Sequence, residues 1–341
     1  MKAYVLEELR KFNLKETDTP KLSKGEVLLK VKAAGICGSD IPRIYTAGTY
    51  HYPLIPGHEF SGEAIDAADD LDKDRYIGKR YGVFPLIPCM ECPQCQNAKY
   101  EMCEKYSYLG SRRDGGFAEF VSVPVGNLVA LPEKVSFEAA AMLEPMAVAV
   151  HAIRRINPKK EDTVAVCGLG TIGLLIIMFL REMGIENIIA IGNKEYQRQK
   201  AIELGVKAEN LGLKKRRIDV FFECVGSNET INWALNFTSP GGKVMLVGNP
   251  KGDMEFDKNT YWKILRNQLT LMGTWNSSFA MDGFQSLASP DDWKYVIDRL
   301  ESKKVNPEVL ITHKYGMRDF IQGFEVMKDK SRDYIKEMMV I

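Results

Sequence analysis

Two groups of side chains in this 341-residue chain have the types and spacing to hold a metal ion. Cys89, Cys92, Cys95 and Cys103 crowd into one short polar stretch, about residues 86–106. Four thiolates at this spacing can close a tetrahedron around Zn²⁺, leaving no position for a substrate. The stretch is rich in proline and has no apolar run to bury, so it needs a metal cross-link to stay ordered. The bland alternative is a group of reduced cysteines or a redox disulfide. The second group is scattered along the chain: Cys37 in Gly35-Ile-Cys-Gly-Ser-Asp40, His58 and Glu59 in Gly57-His-Glu-Phe-Ser-Gly62, and Glu144 in Leu143-Glu-Pro145. Sulfur, imidazole and carboxylate together suit an open zinc site with one position left for water. Glycine or proline stands beside each of them, which allows close backbone packing round an ion. Taken singly, His58 also reads as a core histidine and Glu144 as a helix-surface acid.

A third pattern points to a dinucleotide. Gly168-Leu-Gly170-Thr171-Ile172-Gly173 follows the apolar run Thr163-Val-Ala-Val-Cys167 and opens an apolar helix. The first glycine permits the tight turn, the second admits a pyrophosphate to the backbone, and the third packs helix on strand. The helix N-terminus favours the negative charge. An NAD site carries an acid at the end of the second strand. Here Gly192-Asn193-Lys194 stands there, and Arg198 follows one helical turn on. Cations without a carboxylate favour a 2′-phosphate, so NADP(H) is preferred over NAD(H). Otherwise Lys194 and Arg198 are solvated charges, and Asn193 or Glu195 holds the ribose.

An open zinc beside a nicotinamide suggests alcohol oxidation. Zinc lowers the pKa of a bound hydroxyl, and the alkoxide expels hydride to the ring. Ser39, two residues past Cys37, could relay the proton; it also reads as a turn serine.

These residues need a scaffold. Up to about Pro132, short β-like runs such as Glu26–Lys32 and Phe117–Val123 are broken by glycine and proline. A helix is predicted from Ser136 to Arg155. Four buried-type strands follow at 163–167, 187–191, 219–224 and 243–248, alternating with helices, which predicts a doubly wound parallel sheet. Beyond Met281 the pattern is mixed, with helices predicted at 293–300 and 320–328. Cys167 and Cys224 sit in apolar runs and read as buried hydrophobes.

Composition excludes other classes. With 46 basic and 45 acidic residues the net charge is +1, so no field favours nucleic acid or an anionic membrane. The most apolar stretch, Leu174–Leu180, is far short of the ~20 residues a membrane helix needs. No secretory signal is read at the start. Seven cysteines, four at metal-ligand spacing, fit a reducing cytoplasm.

Together, the motifs around Cys37, His58, the four cysteines and Gly168–Gly173 resemble the zinc-containing medium-chain dehydrogenase/reductases over almost the whole chain. The resemblance implies an α/β protein with two domains. A GroES-like β-rich catalytic domain spans 1–147 and 279–341, and a Rossmann domain spans 148–278. It implies catalytic zinc at Cys37, His58 and Glu144, with Glu59 as an exchanging ligand, and hence two zinc ions per subunit. A carboxylate at 144 is similar to the polyol (sorbitol-type) branch. Within that branch, Ser39–Ile44, His51-Tyr-Pro53, Pro85–Cys89, Gly110–Glu119, Lys263–Arg266 and Gly273–Ser278 resemble the galactitol-1-phosphate 5-dehydrogenases. These are NAD-linked, so Gly192 departs from the pattern. Two further departures are a short stretch from Val206 to Ile218 and a carboxyl end, Asp333–Ile341, without the usual glycine-lysine.

The resemblance implies oxidation of galactitol 1-phosphate to tagatose 6-phosphate; sorbitol, a butanediol or threonine are the rival substrates. A rival from another class is a non-catalytic NADP(H)-binding sensor. Arg43, Arg112 and Arg113 are candidate phosphate ligands or ordinary surface arginines. Trp275, Tyr45 and Tyr50 line the pocket or fill core. A homo-dimer or homo-tetramer is expected, with Lys243–Gly248 and Leu269–Gly273 near the exposed sheet edge.

Overall fold

The computed structural model describes residues 1–210, 217–250, 252–281, 291–329 and 332–341. Its contacts divide it into two units, Met1–Glu144 with Ser278–Ile341, and Pro145–Ser277. The sequence predicts these breaks after residues 147 and 278; they fall after 144 and 277.

The first unit is built on a seven-stranded sheet. Its order is Ile311–Tyr315, Lys336–Val340, Glu26–Gly35, Glu59–Ala67, Arg80–Val83 and Leu128–Ala130, with Phe120–Pro124 also paired to Glu26–Gly35. The ladders are antiparallel except that between Ile311–Tyr315 and Lys336–Val340. A parallel pair needs a crossover, here the helix Ile321–Lys328. The two chain ends share one core. Tyr4 meets Phe12 at 5.3 Å and Phe320 at 5.7 Å, and Phe12 meets Phe324 at 4.9 Å between ring centroids. The Tyr4 hydroxyl donates to the Met317 carbonyl at 2.8 Å.

Strand register positions the candidate metal ligands. Gly35 pairs with Glu59 on one side and with Met338 on the other. Cys37 therefore leaves one strand where Glu59 opens the next. The cysteine stretch leaves and re-enters the unit through a neck, Leu86–Ile87 paired with Ser107–Tyr108.

The helix predicted from Ser136 is two helices, Phe137–Ala141 and Leu143–Ile156. Ser136 caps the first, its Oγ accepting from the Ala139 amide at 3.0 Å. Pro145 explains the break. It has no N–H and crowds the preceding turn, so it fits only at the start of a new helix. The break puts Glu144 in a first helical turn.

The second unit is a parallel six-stranded sheet. In chain order the strands are Val164–Cys167, Ile188–Ile191, Lys207–Glu209, Val220–Glu223, Lys243–Leu246 and Thr270–Gly273; in space they run 3-2-1-4-5-6. Strands one, two and four are buried along their length, as expected for a sheet covered on both faces. Thr270–Gly273 is the last strand in this order and Lys243–Leu246 is its neighbour, so both expected segments lie near one sheet edge. Within the short stretch from Val206 to Ile218, residues 211–216 lie outside the described residues. No described helix is long and apolar enough to cross a membrane.

Candidate active site and cofactor site

The Cys37 sulfur, a His58 ring nitrogen and a Glu59 carboxylate oxygen lie within 4.8 Å of one another. Asp40, fully buried, holds the trio from behind. Its Oδ2 accepts from the Cys37 amide at 3.0 Å, and its Oδ1 lies 3.6 Å from His58 Nδ1. The carboxylate lies on the Nδ1 side of the ring, the place of the partner that orients a metal-ligating imidazole, at a distance longer than a hydrogen bond. Burial pulls the His58 pKa down, but Asp40 and Cys37 outweigh it and hold the imidazole well above its usual range. Anionic groups packed round an imidazole, with its Nδ1 lacking a good hydrogen bond, suit a site that takes a cation. Sulfur, nitrogen and oxygen donors fit zinc.

The two carboxylates stand differently around this group. Glu59 belongs to the tight donor group, whereas Glu144 stands outside it. The Tyr108 hydroxyl donates to Glu144 Oε1 at 3.2 Å, and the Tyr108 ring meets His58 edge-on at 5.8 Å. Burial pushes Glu144 up to about 7; His58 pulls it down and Glu59 adds to the rise. Glu59 is joined by Lys336, whose buried ammonium donates to Glu59 Oε2 and, at 2.9 Å, to the Ile36 carbonyl. Ser39 is half-buried at the start of the helix Asp40–Tyr45, and its side chain makes no capping bond.

The four cysteines of the lobe converge. Cys89 and Cys95 sulfurs are 3.9 Å apart, those of Cys92 and Cys103 4.0 Å. A tetrahedron with Zn–S of ~2.3 Å has edges of about 3.8 Å, whereas a disulfide needs ~2.0 Å. The Cys89 and Cys92 amides donate to Cys103 and Cys89 sulfurs at 3.3 and 3.4 Å, stabilising negative sulfur.

Several predicted substrate contacts are used elsewhere. Arg43 pairs with buried Asp40, so it is not a free phosphate ligand. Arg113 pairs with buried Glu26 at 2.5 Å. Tyr45 packs on the first unit's core, with Lys328 Nζ 5.0 Å over its ring, as its core-filling reading expects. Arg112 lies between the rings of Tyr50 and Tyr106. Trp275 is 56% exposed in the second unit.

The glycine loop has the form a dinucleotide needs. Gly168 has φ +99°, open to glycine alone at low cost. A Cβ at Gly173 would lie 1.9 Å from the Gly168 carbonyl oxygen, so helix and turn touch there. A Cβ at Gly170 would meet nothing within 4 Å. Gly170 is the N-cap of the helix Thr171–Glu182, so the open space lies at a helix N-terminus. At the end of the second strand, a Cβ on Gly192 would lie 2.9 Å from Leu169. Arg198 donates to the Gly192 carbonyl at 2.8 Å and pairs with Glu195, so its charge is partly compensated. Lys194 lies 5.6 Å over the Tyr196 ring, and Asn193 precedes it.

Comparison with known proteins decides the family. Residues 23–133 match the family described as Alcohol dehydrogenase GroES-like domain, and residues 171–302 match Zinc-binding dehydrogenase. Galactitol 1-phosphate 5-dehydrogenase of Escherichia coli (strain K12) is 33% identical over 310 residues, covering 87% of this chain and 88% of the relative. The chain is a zinc-type medium-chain dehydrogenase/reductase. L-galactonate-5-dehydrogenase of the same strain is 27% identical over 350 residues, covering 98% of each. The crystal structure of galactitol-1-phosphate dehydrogenase from Escherichia coli superposes with a TM-score of 0.91, at 30% identity and full coverage of both chains.

The dehydrogenase is thus an NAD(P)-dependent alcohol-oxidising enzyme of the polyol type, which sets aside the sensor reading. Three of its site residues escaped the sequence reading. Asp40 stands inside the Cys37 motif, where its charge was the only signal. Tyr108 carries no motif at all. Lys336 is a lysine in the apolar run Ile335–Val340, and a charge in a buried strand is a signal in itself. The missing glycine-lysine pair therefore does not mean a missing cation.

Proposed function

We propose that the dehydrogenase oxidises a secondary hydroxyl of a phosphorylated hexitol, galactitol 1-phosphate, to tagatose 6-phosphate with NADP⁺ as hydride acceptor. The convergence of Cys37, His58 and Glu59 supports the zinc chemistry, and 33% identity to a galactitol 1-phosphate 5-dehydrogenase supports the substrate. Zinc, when bound, supplies a Lewis acid that acidifies the substrate hydroxyl. Cys37, His58 and Glu59 hold it, with Glu144 at the edge of the set. Asp40 orients His58, and Lys336 balances the charge on Glu59. Glu144 is held by Tyr108 at the rim of the donor group and faces the substrate side of it as a carboxylate that can accept a hydrogen bond. Ser39 passes the proton outward by hydroxyl rotation.

The four-cysteine lobe takes a second, structural zinc. Lys194 and Arg198, with Gly192 in place of an acid, receive the ribose 2′-phosphate. The free cysteines agree with a reducing cytoplasm. Subunits pair through the edge strand Thr270–Gly273; the helix before it in the chain, Lys258–Arg266, exposes Tyr261, Trp262 and Leu265.

A second reading keeps the chemistry and drops the phosphate: sorbitol, a butanediol or threonine. It is favoured by the engagement of Arg43 and Arg113 with buried carboxylates. Rates with galactitol 1-phosphate, free hexitols, butanediol and threonine, each with NAD⁺ and NADP⁺, separate the two. Equal kcat/KM for phosphorylated and free hexitol overturns the first reading, and a clear NAD⁺ preference overturns the cofactor choice.

A further inference from the structure

Arg112 differs from its neighbours in one electrostatic respect. Arg43 is neutralised by Asp40 and Arg113 by Glu26. Among the described residues, every partner of Arg112 is uncharged. One terminal nitrogen donates to the Tyr106 carbonyl at 2.5 Å, the other to the Tyr50 hydroxyl at 3.2 Å. The guanidinium carbon lies 4.1 Å from the Tyr106 ring centroid and 4.4 Å from that of Tyr50. Its Nε is buried and has no acceptor. A guanidinium has five N–H donors, and only two are used here.

This arrangement fixes the fork without neutralising it. Stacking between two rings removes rotamer freedom, and planar N–H pairs match the spacing of carboxylate or phosphate oxygens. Stability alone is a poor reason for it. Tyr50 is 69% exposed, and a cation over an exposed ring is only weakly held. The loop that carries Tyr50 is itself tied down over Arg112, since Thr49 Oγ1 donates to the Ser111 carbonyl at 3.0 Å. A row of rings leads from there to the metal ligands: Tyr106 meets Tyr108 at 6.1 Å, and Tyr108 meets His58 at 5.8 Å.

We propose that Arg112, clamped between Tyr50 and Tyr106, binds the terminal oxyanion of the substrate while the secondary hydroxyl sits at Cys37, His58 and Glu59. The oxyanion is a phosphate monoester or a carboxylate. This inference rests on the reading of the substrate as a polyol with an anionic end.

The test compares the wild-type enzyme, Arg112→Gln and Arg112→Lys with galactitol 1-phosphate, L-galactonate and galactitol. Loss of the fork lowers kcat/KM for the preferred anionic substrate at least about tenfold more than for galactitol, the equivalent of one forked contact. The loss appears mainly in KM, and inorganic phosphate weakens as a competitive inhibitor in step. Arg112→Lys, which keeps charge without the fork, falls between, and it carries the test if the glutamine variant does not fold. Galactitol 1-phosphate and L-galactonate distinguish phosphate from carboxylate. An anionic preference in the wild type that survives Arg112→Gln and Arg112→Lys unchanged overturns the role of Arg112 alone. A wild-type enzyme indifferent to the anion overturns the substrate reading, and this inference with it.

Discussion

Gly35 shows how little room surrounds the donor cluster. A Cβ there would lie 2.6 Å from Lys336 Cε and 2.8 Å from Glu59 Oε2. Gly35→Ala should therefore displace the Lys336–Glu59 pair and empty the catalytic zinc site, while the cysteine lobe keeps its ion. With both proposed sites taking one ion each, metal analysis should give about one zinc per chain instead of two; two retained ions would show that the pair can shift freely. Glu144 makes a pH prediction for the metal-stripped protein. Burial raises its folded pKa to about 7, above the ordinary carboxyl value of 4.5. The protonated form is thus favoured by the fold. Its contribution to stability is complete below the unfolded pKa and is lost as pH rises from about 4.5 to about 7, flattening above. Glu144→Gln should remove that slope in urea unfolding of the metal-free protein. A slope that persists in the variant would assign it to other groups.

At the scale of elements, the glycine loop separates ligand binding from folding. Gly170 faces open space with φ −75°, which alanine adopts without strain. Gly170→Ala should leave the thermal midpoint within a degree or so, yet weaken dinucleotide binding about tenfold or more by blocking backbone approach. Gly173→Ala, with a Cβ 1.9 Å from the Gly168 carbonyl oxygen, should instead lower the midpoint itself. Equal behaviour of the two variants in calorimetry and cofactor titration would contradict this division. The cysteine lobe makes a parallel case. Its neck is two residues long on each side, and the stretch between is short local turns around four converging sulfurs and a buried Tyr100. Cys103→Ser should cost one zinc and open residues 88–106 to limited proteolysis, with the Cys37 site still loaded. A protease-resistant lobe after that change would mean that packing, not metal, holds it.

At the scale of the molecule, Thr270–Gly273 is the edge of the second unit's sheet among the described residues, with Leu271 exposed. Apolar edges invite another strand. If subunits pair there as proposed, Leu271→Lys, a charge placed on that edge, should give a monomer in light scattering at micromolar concentration where the wild type gives an oligomer. An unchanged mass would move the subunit interface elsewhere. The first unit is assembled from both ends of the chain, and Tyr4, Phe12, Phe320 and Phe324 close its core. Truncation at either end should therefore harm the zinc unit before the parallel sheet.

What could be read without a structure was local. Ligand types, the glycine spacing and the alternation of strand and helix are properties of neighbouring residues, so the donor candidates and the doubly wound sheet were visible at once. The helix break at Pro145 was legible too, had its missing N–H been weighed against the apolar run around it. Charge pairing was not legible. Arg113 finds Glu26 across 87 residues, and Lys336 finds Glu59 across 277. Such pairs follow from strand register and the closing of one core by both chain ends. Tertiary structure alone therefore decided which carboxylate joins the donor group, which arginines are neutralised and which one keeps its charge, because an electrostatic environment depends on distance in space, to which sequence separation is blind.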